Sequence, residues 1–174
     1  MVSTEQLIDE LWSRQPPDGA RATLQSYVSV LRRKCREAGS ADLIETRSPG
    51  YVLRLDPVEI DVAAFRAHIG AAQQADAAAA EADQRDHLVA ALALVQGPIL
   101  PALDHLDTVR VFINDIDEHR RWAARELVEL DLRRGRASDV IPRLRELIEL
   151  NPLEEGMWGL LMRALYHCGR QADA

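Results

Sequence analysis

The chain has 174 residues, 47% hydrophobic and 28% charged, enough for one medium domain or two small ones. No apolar run approaches the roughly 20 residues of a membrane helix, and the opening MVSTEQLIDELW lacks the basic-then-apolar pattern of a secretory signal. The net charge of −7 argues against a nucleic-acid partner, but its distribution reverses that: residues 1–57 hold eight basic and eight acidic side chains, and residues 58–174 the other thirteen and twenty.

Ser3 and Gln6 have the spacing of a capping box at a helix start. Leu7, Ile8, Leu11 and Trp12 then recur at helical spacing, and Pro16-Pro17 ends the helix because neither can donate a backbone hydrogen bond. Asp18 is placed to cap a second helix. There Ala20, Leu24, Tyr27, Val28, Leu31 and Cys35 form an apolar stripe, while Arg21, Gln25, Ser26, Ser29, Arg32, Arg33 and Arg36 occupy the other side. From Gly19 to Arg36 there is no acid. A phosphate backbone responds to local potential, and Gln, Ser and Arg can read base edges or hold phosphates from a helix in the major groove. Such a face can also be plain solvated surface, so the next segment matters. Leu43–Arg47 and Tyr51–Leu55 read as two strands joined at Ser48-Pro49-Gly50, with Pro49-Gly50 suited to the centre of a type II turn and Tyr51, Leu53 and Leu55 alternating as a half-buried strand. Helix, turn, basic helix and hairpin are the second half of a winged helix-turn-helix, with Arg47 on the wing.

Asp56-Pro57 marks a boundary where the charge changes sign. Beyond it the patterns are helical: Val62, Phe65 and Ile69 after Asp61, an Ala-rich helix with a break in 71–82, a helix over Asp86–Val95 ended by Gly97-Pro98, and a long one over Phe112–Arg134. Gly135-Arg136-Ala137-Ser138-Asp139 recurs as Gly169-Arg170-Gln171-Ala172-Asp173 at an offset of 34, the tetratricopeptide (TPR) period, with Asn151-Pro152 between units. The expected architecture is mainly α: a partial winged helix-turn-helix with a C-terminal β-hairpin wing over 1–57, then an all-α TPR-like helical domain over 58–174. An ordinary helical bundle is the plainer alternative for the second part.

LIDELWSRQPPDGARATLQSYVSVLRRKCREAG followed by LIETRSPGYVLRLDP resembles the C-terminal part of an OmpR-type DNA-binding domain, in the version found in Streptomyces antibiotic regulatory proteins, the SARP/AfsR group. The resemblance implies that Ala22–Arg36 is the recognition helix, with Gln25, Ser26 and Ser29 near bases and Arg32, Arg33 and Arg47 near the phosphate backbone. Val30 stands where some relatives carry Arg. ALALVQGPIL, VELDLRRGRASDVIPRLRELIELNPLEE and MRALYHCGRQADA resemble the bacterial transcriptional activator domain, with Val95-Gln96 departing from its usual Trp-Arg. The function so implied is a DNA-binding transcriptional activator, with secondary-metabolite genes among the targets the resemblance implies. Its partners would be double-stranded promoter DNA, including direct repeats bound by side-by-side copies in a homo-oligomer, and RNA polymerase. Against the family pattern, Met1 falls just before the second helix and Ala174 just after a Gly-Arg turn. A chain truncated at both ends would leave Leu7, Leu11, Leu24, Val28 and Leu31 short of cover and bind DNA weakly.

A TPR-like interaction scaffold is the competing reading, and an enzyme is rejected. The five histidines show no metal-ligand spacing, neither cysteine has a C-x-x-C partner, and nucleophile-elbow, Walker and dinucleotide-binding loops are all missing. Asp115, Asp117 and Glu118 beside His119 read as a solvated face. No cofactor, metal or membrane is expected. Cys35 and Cys168, far apart in a chain without an export signal, suit cytosolic thiols and a cytoplasmic protein.

Overall fold

The computed structural model describes residues 1–12, 15–56 and 60–174, so the boundary expected at Asp56-Pro57 runs into residues outside that set. The chain divides into two units: Met1–Ile60 with Leu100–Ile113, and Asp61–Ile99 with Asn114–Ala174. The first is a winged helix-turn-helix of β1 (Val2–Ser3), α1 (Thr4–Trp12), α2 (Ala20–Glu37), β2 (Ile44–Arg47) and β3 (Gly50–Leu53). Its strands form one antiparallel sheet in the order β1-β3-β2.

The capping box forms as its spacing predicts. The Gln6 amide donates to Ser3 Oγ at 3.1 Å and the Ser3 amide to Gln6 Oε1 at 3.0 Å. Ahead of it lies a strand the pattern does not announce, β1, since two residues cannot show a period. Val2 pairs with Tyr51 and Ser3 with Gly50. This pairing explains Gly50: a Cβ there would lie 1.9 Å from the Val2 carbonyl oxygen. The expected Pro49-Gly50 turn is corrected accordingly. Arg47 already pairs with Gly50, so the loop is Ser48-Pro49, joined by a cis peptide bond, and Gly50 lacks the positive φ that a type II turn requires. Burial along β3 does not alternate either, because Tyr51 and Val52 are both half-buried and Leu53 is exposed.

The N-cap position of α2 is Gly19, in the left-handed region at φ 80° with no side-chain cap hydrogen bond, and not the expected Asp18. It ends in a Schellman motif: Gly39 (φ 86°) donates to the Arg36 carbonyl and Ser40 to that of Cys35. Ala20, Leu24 and Val28 are buried, but Tyr27 and Leu31 are about half exposed (52% and 51%), so the stripe is narrower than its spacing suggests. The nine-residue α1 covers only part of that face, with Trp12 stacked on Tyr27. Of the leucines expected to lack cover, Leu11 and Leu31 are exposed while Leu24 is buried. Thr108, in the Leu100–Ile113 segment, donates a hydrogen bond to the Glu10 carboxylate of α1.

The second unit is all α: α3 (Asp61–Ala77), α4 (Glu81–Leu94), α5 (Asp107–Arg133, up to Ile113 grouped with the first unit), α6 (Ala137–Leu150) and α7 (Glu155–His167). The Ala-rich break falls at Ala78–Ala80, and α4 and α5 each begin five residues before the apolar pattern does. Gly135 and Gly169 both take left-handed φ in Schellman motifs of the same bond pattern, so the 34-residue repeat is a repeated helix ending. Between them α6 packs on α7 through Val140, Leu144, Ile148, Met157, Leu160 and Ala164. Asp131 anchors the α4 side of the unit, holding Arg85 at 2.9 Å and Arg136 at 3.4 Å. His68 and His87, from α3 and α4, meet Nδ1 to Nδ1 at 3.1 Å.

Candidate nucleic-acid interface

Of the eight residues singled out in the sequence, seven fall into two sets on α2 and the eighth, Arg47, lies at the end of β2. Arg21, Gln25 and Arg32 border the hairpin. Arg21 and Gln25 line a groove of about 330 Å³ closed by Ser3, Thr4 and the Ser48-Pro49 loop. The loop is held to the start of α1 by Thr4, whose amide and hydroxyl both donate to the Pro49 carbonyl, at 3.1 and 2.9 Å. Ser26, Ser29, Arg33 and Arg36 are exposed on α2.

Not every cation is equally available. Arg32 is half-buried; its Nε donates to the Ile44 carbonyl at 3.0 Å, its Nη2 to Thr46 Oγ1 at 2.7 Å, and its guanidinium lies 6.0 Å from the Tyr51 ring centroid. It ties α2 to the hairpin. Among the described residues Arg33 makes only a 3.9 Å pair with Glu37 in which both side chains are about two-thirds exposed, an interaction worth a few tenths of a kcal/mol. Ser26 Oγ donates to the Ala22 carbonyl at 3.1 Å and keeps its lone pairs outward.

On the wing, Arg47 ends β2 beside the loop and sits 3.7 Å from Glu45. Glu45 also takes a 2.7 Å hydrogen bond from Arg54. That bond, reinforced by the charges of Arg54 and Arg47, holds the Glu45 carboxyl below the usual carboxylate range. Arg54 is a wing cation the sequence reading passed over. The signal was its place two residues beyond Val52, the residue that pairs with Glu45 across the hairpin. Lys34, exposed on α2, belongs with the same basic set.

A basic helix packed against a β-hairpin is a winged helix-turn-helix arrangement, and the comparisons with known proteins find domains of transcription regulators. Residues 60–174 match the bacterial transcriptional activator domain, and residues 1–53 match the transcriptional regulatory protein C-terminal domain. The chain belongs to the family of the bacterial transcriptional activator domain. It is similar to the transcriptional regulatory protein EmbR of Mycobacterium tuberculosis, 35% identical over 99% of this chain and 45% of EmbR. The regulatory protein DnrI of Streptomyces peucetius is 32% identical over 100% of this chain and 66% of DnrI. A solved structure of M. tuberculosis EmbR with a low-affinity phosphopeptide superposes with a TM-score of 0.86 at 35% identity, over 99% of this chain and 46% of that one. The family is thus the SARP type that the motifs indicate. This chain spans about half the length of EmbR.

Proposed function

We propose that this chain is the DNA-reading and activating portion of a transcription regulator. α2 lies in the major groove with Gln25, Ser26 and Ser29 toward base edges. Arg21, Arg33, Arg36 and Arg47 meet phosphates, and Arg32 fixes the angle between helix and wing. The acidic helical unit then serves protein contacts, with polymerase or with a second copy on an adjacent repeat. The observation that carries this reading is the exposed polar and basic surface of α2: seven side chains able to bond bases or phosphates, Arg21, Gln25, Ser26, Ser29, Arg33, Lys34 and Arg36, on a helix whose opposite line is buried. Binding of the full chain to a panel of labelled duplexes tests it by fluorescence anisotropy. Ser29→Ala and Gln25→Ala should reorder the panel by about 1–3 kcal/mol at one base pair, while Arg33→Ala should weaken all duplexes alike. Variants that bind every duplex as the parent does would refute it.

A further inference from the structure

The helical unit contains a cavity of about 500 Å³ between α5, α6 and the segment after α4, within the size range of small-ligand sites. Leu92, Leu147 and Met157 supply an apolar lining, and three arginines, Arg120, Arg121 and Arg143, face it. They are not equivalent. Arg120 is committed, with Nη2 3.3 Å from Asp117 and Nη1 donating to the Gly97 carbonyl at 3.1 Å. Arg143, half-buried at the cavity wall, has neither an ion pair nor a hydrogen bond among the described residues. The acid that acts on it most, Asp131, is already held by Arg85 and Arg136. Burial accordingly pulls the Arg143 pKa below the usual arginine value. Arg121 is exposed at the same cavity and is likewise without an ion pair among the described residues. The opposing charges are Asp117, neutralised by Arg120, and Glu154.

A half-buried guanidinium with no partner among the described residues, beside an apolar wall, gains most from a ligand that brings both an anion and a hydrophobic body. We propose that this cavity binds a small organic anion, a carboxylate, sulfonate or phosphate on an apolar frame, with Arg143 and Arg121 taking the charge and Leu92, Leu147 and Met157 the body. The fluorescent sulfonate 8-anilinonaphthalene-1-sulfonate is a suitable probe, titrated into the full chain beside the uncharged N-phenyl-1-naphthylamine. The sulfonate should saturate at one site per chain. The double variant Arg121→Gln/Arg143→Gln, and Arg121→Gln alone to a smaller degree, should weaken it, the double variant by about tenfold or more, the size of a lost charge-assisted hydrogen bond. Arg145→Gln, on the exposed side of α6, should leave it unchanged. Circular-dichroism melting should show each variant folded; if the double variant is not, the single Arg121→Gln decides. Equal sulfonate binding by parent and arginine variants, or equal affinity of the parent for the uncharged dye, would overturn the proposal.

Discussion

Arg32 and Arg33 are neighbours in sequence and both basic, yet the fold gives them different work. Arg32 makes two hydrogen bonds to β2 from a half-buried position, whereas among the described residues Arg33 has only an exposed pair with Glu37. Arg32→Ala should therefore lower the stability of the winged-helix unit by about 1–1.5 kcal/mol, since it removes the part-buried hydrogen bond to the Ile44 carbonyl while water takes its place at the exposed Thr46 hydroxyl. Arg33→Ala should stay within about 0.5 kcal/mol, as surface changes usually do. Urea titration of the two variants checks the contrast, and equal midpoints would refute it. The periodicity of α2 makes both residues legible as basic surface. It cannot tell them apart, because the acceptors on Arg32 lie 12 and 14 residues away and are brought in only by the hairpin. The Ser3–Gln6 box was legible for the converse reason: both partners lie within one helical turn, so spacing alone brings them together.

At the level of elements, helix endings were readable wherever glycine marks them. Gly39, Gly135 and Gly169 each terminate a helix in the left-handed conformation. The break between α3 and α4 has the same bond pattern, Ala79 donating to Asp76 and Ala80 to Ala75, but with alanine at φ 55°. An alanine run carries no punctuation, so only an approximate break could be read there. The left-handed region costs a non-glycine residue about 1–2 kcal/mol, of which glycine's extra chain entropy offsets about 0.4–1 kcal/mol. Ala79→Gly should thus stabilise the helical unit by about 0.5–1 kcal/mol, seen as a higher urea midpoint at unchanged slope. A lower midpoint would mean that the Ala79 conformation carries no such cost. The early starts of α4 and α5 escaped the apolar pattern because Glu81, Ala82 and Asp83, like Asp107 and Thr108, put little apolar surface inside; propensity and acidic first turns carry the helix there.

For the whole molecule, the two-part division is visible in charge, but the grouping of Leu100–Ile113 with the winged helix is not, because it rests on contacts across about a hundred positions such as Thr108 with Glu10. That segment adds two acids and one base, so the first unit carries more acidic than basic side chains. Neither the chain nor this unit is basic overall; only one face of α2 and the wing are. The sign of the salt effect on DNA binding separates the two descriptions. If the net charge of −7 governed, added salt would relieve repulsion and affinity would rise. At 0.1–0.15 M salt, charges more than about 8–10 Å apart are largely screened, while each phosphate contact releases counterions and contributes about −0.9 to the log–log slope. With Arg21, Arg33, Arg36 and Arg47 as contacts, and Arg32 spent internally, the slope for one chain should be about −3 to −4, and Arg33→Ala should reduce it by about one. Anisotropy titrations from 50 to 300 mM potassium chloride measure it, and a flat or rising line would place the basic face of α2 away from DNA.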